Sequence, residues 1–239
     1  MRVYDKNNIK CAIRNSVKKI YEAEVNFVNE KLYSNTLDCY SAVLDAISQN
    51  ISIEEWLKQE KARQIQKTKQ NAIGNLHEEI IGSFNGVSKL HVGKVYDIHF
   101  PNKKIIAEVK NKHNTTKGNH KTQIYRDLEH SLNKLKGYTG YYVEILPING
   151  KSYDIPFTPS DNLTKKKLRS RDDIRKIDGK SFYKIITGEE NAMGNIYLML
   201  PEIIKEILKE EFNFDANIEV ITNQRIFKNL YNKIFPNSI

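Results

Sequence analysis

The stretch "DIHFPNKKIIAEVKNKHN", residues 97–114, decides the reading of the fold. Ile98 and Phe100, then Ile105, Ile106 and Val109, are β-branched or aromatic residues on either side of Pro101 and Asn102, the composition of two strands joined by a turn. Taking "PNKK" as a four-residue connection pairs Phe100 with Ile105, and the same register sets Asp97 opposite Glu108. Side chains alternate along a strand, so Asp97 shares a face with His99, and Glu108 shares one with Lys110 while Val109 points away. Directly opposed residues bring Cβ atoms about 4.5–5.5 Å apart, and two carboxylates so placed repel unless a cation, water or the Lys110 ammonium offsets them.

Oxygen ligands of this kind suit Mg²⁺ or Mn²⁺ better than zinc, and Mg²⁺ commonly takes one or two protein carboxylates with phosphate oxygens and water. The layout suits phosphodiester hydrolysis. A metal there polarises a phosphate and lowers the pKa of a bound water, and Lys110 positions that water or stabilises developing negative charge.

Upstream, apolar residues recur at helical spacing over residues 8–31 (Ile13, Val17, Ile20, Val25, Val28) and 36–48 (Leu37, Tyr40, Val43, Leu44, Ile47). "SIEEW" offers Ser52 and Glu55 as a capping box for a charged helix running toward Ile73. In "NAIGNLHEEIIGSF", Ile73, Leu76, Ile80 and Phe84 share a face. Downstream, Ile124, Leu128, Leu132 and Leu135 predict a helix over 120–137, "GYYVEILPI" a buried strand and "AMGNIYLMLPEIIKEILKEEF" an amphipathic helix. "NIEVI" reads as a last strand before a short terminal helix, and residues 150–180 as polar turns. No repeat or linker divides the chain. The expectation is an α/β protein with a mixed sheet flanked by helices in one domain, 1–239. Residues 1–70 are its helical N-terminal portion, 71–148 the core bearing the hairpin, and 149–239 carry recognition and C-terminal elements.

At 239 residues, 39% of them hydrophobic, the chain can close a generous core. Its formal charge of +9, from 38 basic and 29 acidic side chains, favours a polyanionic partner. No stretch approaches the roughly eighteen apolar residues of a membrane span, and "MRVYDKNNIK" lacks the apolar centre of a signal peptide. A cytoplasmic protein with no membrane partner is expected. Cys11 and Cys39, too far apart for a paired metal site and each inside a helical pattern, are expected as buried reduced thiols.

Helix, Asp97, Glu108-Val109-Lys110, helix and further strand together resemble the PD-(D/E)XK nuclease superfamily, with Asp97…Glu108-x-Lys110 as the signature. More narrowly, "EVKNKHNTTKG" and "DGKSFYKIITGEENAMGNIYLML" look like the type II restriction endonucleases that recognise GGNCC, a likeness spanning roughly residues 70–205. Tyr96 stands where the superfamily name has proline. The resemblance implies a restriction-endonuclease-like core and a Mg²⁺-dependent homodimer, Mn²⁺ substituting, that cuts both strands of double-stranded DNA to leave 5′-phosphate and 3′-hydroxyl ends. It also implies a cognate DNA methyltransferase. Asp97, Glu108 and Val109 are then the metal-holding residues, Lys110 completes the catalytic set, and Glu78 or Glu79 adds an acid from the preceding helix, Glu78 being favoured.

Two basic runs are the candidate DNA contacts. "KNKHNTTKGNHK" supplies Asn111, Lys112, His113, Asn114, Lys117 and Lys121 as donors to phosphate oxygens or base edges, and "TKKKLRSRDDIRK" supplies Lys166, Arg169, Arg171 and Arg175, arginine being suited to guanine. An HNH-type nuclease using His113 and His120 needs ββα geometry, whereas "HNTTKGNH" reads as a loop. Tyr141, Tyr142, Phe182 and Tyr183 have the shape to stack on bases, but such adjacent aromatics are more often core. Alternative readings are a junction-resolving or repair nuclease of the same superfamily, and a basic nucleic-acid-binding module whose hairpin acids are merely solvated.

Overall fold

The computed structural model describes residues 3–26, 32–33, 35–90, 95–161, 164–220, 222 and 224–236. Helices α1 (Lys6–Val25), α2 (Cys39–Gln49) and α3 (Ile53–Gly74) precede any strand. Val28 lies outside the described residues. Contacts divide the chain into two compact units, Asn15–Gly74 on the one hand and Met1–Arg14 with Asn75–Ile239 on the other.

In the Asn15–Gly74 unit the capping box forms as the sequence predicts. The Ser52 N–H donates to Glu55 Oε2 at 3.1 Å and the Glu55 N–H to Ser52 Oγ at 3.1 Å, satisfying two otherwise orphaned donors at the start of α3. The apolar stripe of α2 is not its buried face. Ala42 and Ala46 are buried against Trp56, whereas Tyr40, Val43, Leu44 and Ile47 are exposed. The small side chains admit the indole, whose Nε1–H donates to Asp45 at 3.2 Å. Both cysteines are exposed, correcting the expectation of buried thiols. Cys11 lies midway between the fully buried Ile9 and Ile13, which at 3.6 residues per turn turns it outward, and Cys39 opens α2.

The larger unit adds α4 (Leu76–Gly82), β1 (Ser88–Lys89), β2 (Ile98–Phe100), β3 (Ile105–Lys112), α5 (Gly118–Lys134), β4 (Thr139–Leu146), β5 (Asp154–Pro156), β6 (Ile174–Asp178), α6 (Gly179–Thr187), α7 (Ala192–Phe212) and α8 (Gln224–Ile234). The strands form one mixed sheet in the order β1-β2-β3-β4-β6-β5, with β3, β4 and β6 mutually parallel and the other pairs antiparallel. α5 packs its Ile124, Tyr125, Leu128 and Leu132 on one sheet face, against Ile106, Tyr142 and Ile174. On the opposite face Tyr141 meets Phe182 of α6, ring centroids 5.7 Å apart. Tyr141, Tyr142, Phe182 and Tyr183 are all buried, so they are core and not free to stack on bases. No helix among the described residues is long and apolar enough to cross a membrane.

Three local expectations are corrected. The described part of "NIEVI" is not a strand: Ile218–Val220 is a 3-10 turn, because no strand among the described residues pairs with it, and Ile221 lies outside the described residues. Residues 150–180 hold two strands instead of turns alone, since Ile174 and Ile177 supply buried positions for a strand beside β4. His120 belongs to the first turn of α5, because the helix starts at Gly118.

The junction from β6 to α6 admits only glycine at position 179. Asp178, fully buried, caps α6 by accepting from the Ser181 N–H at 3.0 Å. This brings Gly179 so close to β4 that a Cβ would stand 2.6 Å from the Ile145 carbonyl oxygen and 2.8 Å from its Cα. Backbone cannot move aside as a side-chain tip does, so Gly179→Ala is expected to cost about 2 kcal/mol, the usual scale of overpacking. Urea denaturation of the purified variant checks it, and an unchanged midpoint would contradict the contact.

Candidate active site

The hairpin forms in the register that its sequence implies: Phe100 pairs with Ile105, His99 with Ile106 and Ile98 with Ala107. Asp97 stands just before β2, tied in by its N–H to the Ala107 carbonyl at 3.0 Å and by its own carbonyl, which accepts from the Leu90 N–H at 2.8 Å. Its Oδ2 accepts from the Val109 N–H at 2.8 Å and lies 3.8 Å from Lys110 Nζ. That ammonium is 2.5 Å from Glu108 Oε1. Asp97, Glu108 and Lys110 therefore meet on one side of the sheet, each side chain a quarter exposed or less.

Burial and charge then set the protonation of the group. Burial, and next the Asp97 charge, push the Glu108 carboxyl up to about 7, with Lys110 opposing. Burial by itself disfavours the Lys110 ammonium, but the Glu108 and Asp97 charges outweigh it and raise its pKa, so it stays cationic at neutral pH. Glu78 projects from α4, its pKa raised by burial first and then by the Asp97 charge, while Lys89, 3.3 Å away, and Lys110 oppose the rise. Two close carboxylates that resist sharing negative charge fit a hard divalent cation, and two is a number of protein carboxylates that Mg²⁺ commonly takes. No group of three or more His, Cys, Asp or Glu among the described residues is arranged to hold a metal, so Glu78 bears on the pair by its charge.

A family model described as Eco47II restriction endonuclease matches residues 2–209. The chain belongs to this family. The type II restriction enzyme Eco47II of Escherichia coli is 35% identical over 208 residues, which cover 85% of this chain and 84% of that protein. The type II restriction enzyme Sau96I of Staphylococcus aureus is 32% identical over 175 residues, 72% of this chain and 67% of that protein. Family membership makes the chain a restriction-endonuclease-like nuclease, and the acid-acid-lysine cluster falls inside the matched span.

The candidate DNA contacts divide into two groups. Asn111 and Lys112 end β3, His113 and Asn114 follow in the turn, and Lys117 precedes α5, so these leave the hairpin directly. His113 Nδ1 lies 3.3 Å from the Leu146 carbonyl. In the second run Lys166 and Arg169 are exposed, whereas two arginines are engaged by acids. Arg171 grips Asp173 with two nitrogens at 2.8 and 2.7 Å and reaches Glu129 at 3.4 Å, and Arg175 pairs with Asp154 at 2.5 Å. Base reading by either would require those pairs to open. His77, pushed down to about 4 by burial and 2.9 Å from the Tyr183 hydroxyl, is neutral and half-buried beside that core tyrosine.

Sequence reasoning passed over Glu144. It is fully buried on β4, opposite Lys110 in register, with its carboxylate ringed by Tyr153, Lys176 and Lys121. The available signal was a lone acid inside the apolar run "GYYVEILPI".

Proposed function

We propose that the protein is a Mg²⁺-dependent type II restriction endonuclease, Mn²⁺ substituting, which hydrolyses both strands of double-stranded DNA to 5′-phosphate and 3′-hydroxyl ends. The convergence of Asp97, Glu108 and Lys110 at the hairpin, within a restriction endonuclease family, carries this reading. Asp97, Glu108 and the Val109 backbone hold the metal, which when bound polarises the phosphate and acidifies a water. Lys110, kept cationic by its two acids, orients the attacking water and stabilises the negative charge that develops on the phosphate oxygens. Glu78 adds negative charge on the side of α4 and favours retention of the cation. Asn111, Lys112, His113, Asn114, Lys117 and Lys121 bind the DNA backbone beside the cut, and the exposed Lys166 and Arg169 contribute recognition, joined by Arg171 and Arg175 where DNA opens their carboxylate pairs.

GGNCC is the proposed target, from the likeness of "EVKNKHNTTKG" and the block after Asp178 to enzymes of that specificity. A symmetric target is cut in both strands most simply by a homodimer, and host DNA then needs protection by a cognate methyltransferase. A cytoplasmic location accords with this role. Digesting unmethylated DNA of known sequence with Mg²⁺, then mapping the ends, is expected to yield discrete fragments at one short palindrome. Nicking of branched DNA alone would instead select a junction-resolving or repair nuclease, and binding without any cut a non-catalytic module.

A further inference from the structure

The helical Asn15–Gly74 unit carries none of the protein's excess charge. Residues 15–74 hold eight basic and eight acidic side chains, so the whole formal charge of +9 lies in the larger unit. On the neutral unit, α2 presents an apolar stripe to solvent: Tyr40, Val43, Leu44 and Ile47 are 80%, 51%, 71% and 74% exposed. At 3.6 residues per turn the four fall within an arc of about 100°. Neither acid of this segment lies on that arc. Asp38 caps the helix by accepting from the Tyr40 and Ser41 N–H groups, and Asp45 is turned to Trp56 and Arg63.

Size, charge and symmetry together point to what covers this face. The four side chains leave on the order of 500 Å² of apolar surface in water, a patch of functional size and over half of the roughly 800 Å² that each partner gives to a standard interface. Two copies of a protein at +9 repel, and they meet at the lowest electrostatic cost through the unit whose charges balance. α8 exposes a comparable stripe in Ile226, Leu230 and Ile234, but it carries Arg225, Lys228 and Lys233 and no acid, so two copies meeting there would oppose like charges. The α2 stripe also reads alike in both directions, with Tyr40 and Ile47 equally far from its midpoint and Val43 and Leu44 astride it. A two-fold axis pairs residue i with j and j with i, so antiparallel copies of α2 set Tyr40 on Ile47 twice and Val43 on Leu44 twice.

We propose that two copies of this chain associate through α2, packed antiparallel across a two-fold axis, Tyr40 of each copy against Ile47 of the other. The proposal rests on the nuclease reading, whose symmetric target calls for two copies, and assigns the surface that joins them. The balanced unit holds the copies together, and the cationic unit is left for DNA.

Sedimentation velocity of the full chain at micromolar concentration, without DNA, is expected to show a dimer. Tyr40→Glu and Ile47→Lys should each weaken it ~100-fold or more and give folded monomers, because symmetry buries the new charge twice against an apolar partner. Each charge suits its own end of α2, an acid in the first turn and a base in the last, so the helix is kept, which circular dichroism checks. Mixing the two variants should restore the dimer: the introduced carboxylate meets the introduced ammonium at one contact, and the other keeps Tyr40 against Ile47. Leu230→Asp, on α8, should leave the dimer unchanged. If either charged variant fails to fold, Leu44→Ala, a better helix former at an exposed site, decides the matter by weakening the dimer ~10-fold. A monomeric wild type, single variants that stay dimeric, a mixture that stays monomeric, an unweakened Leu44→Ala dimer or a monomeric Leu230→Asp would each overturn the seam. A dimer that never cuts DNA defeats the nuclease reading and leaves the seam standing; a monomer that cuts both strands defeats the seam alone.

Discussion

Asp97→Asn is expected to abolish cleavage, by ~10³-fold or more, while DNA binding stays as tight as in the wild type or becomes tighter. The aspartate is one of two side chains offered to the cation, and loss of the electrophilic metal removes several kcal/mol of transition-state stabilisation, each 1.36 kcal/mol being tenfold in rate. Binding moves the other way because a negative charge beside the phosphate disappears. The substitution keeps an oxygen for the Val109 N–H, now 2.8 Å from Oδ2, so the hairpin should hold its register. Single-turnover cleavage with Mg²⁺ and fluorescence anisotropy with Ca²⁺ separate the two effects. A variant cutting within tenfold of the wild type would remove Asp97 from the chemistry.

The second large effect is a dependence of stability on pH that Mg²⁺ suppresses. Glu108 has its pKa raised from the ordinary carboxylate range to about 7, by burial first and by Asp97 second. The folded state thus holds this proton more tightly than the unfolded chain, and stability falls as pH rises from about 4.5 toward 7, levelling above that. With the Glu108 side chain 14% exposed, the full loss is on the order of 3 kcal/mol. A cation binding the ionised pair offsets the loss. The Tm difference between Mg²⁺ and EDTA should therefore widen from about pH 5 to about pH 8, by several degrees. Equal Tm shifts at both pH values would show that the pair does not hold the ion.

The convergence of Asp97, Glu108 and Lys110 was legible because it is local. Asp97, Glu108 and Lys110 lie on two strands joined by a four-residue turn, where alternation and loop length alone fix which side chains meet. The Ser52–Glu55 capping box was legible for the same reason, its partners being three residues apart. α2 was not. Its strongest apolar stripe, Tyr40, Val43, Leu44 and Ile47, satisfies the helical period, yet burial follows Ala42 and Ala46, because the indole of Trp56 needs small neighbours and that demand comes from another helix. β6 was hidden because alternation in "DIRKID" is interrupted by charged residues whose side chains find Asp154 and Glu144 only after β4 and β5 are in place.

From its residues alone this protein declared the hairpin, its register, the acid pair with its lysine, the mixed sheet flanked by helices and the helical opening segment, since each follows from short-range periodicity or from neighbours along the chain. Tertiary structure alone decided that Glu144 gathers Lys121 and Lys176 one strand away from the acids, that Arg171 and Arg175 are held by carboxylates, and that the cysteines face outward. The physical reason is that a charge or a thiol carries no periodic signal of its own. Its partner, and hence its exposure and protonation, is set by whichever distant segment the sheet order brings alongside it.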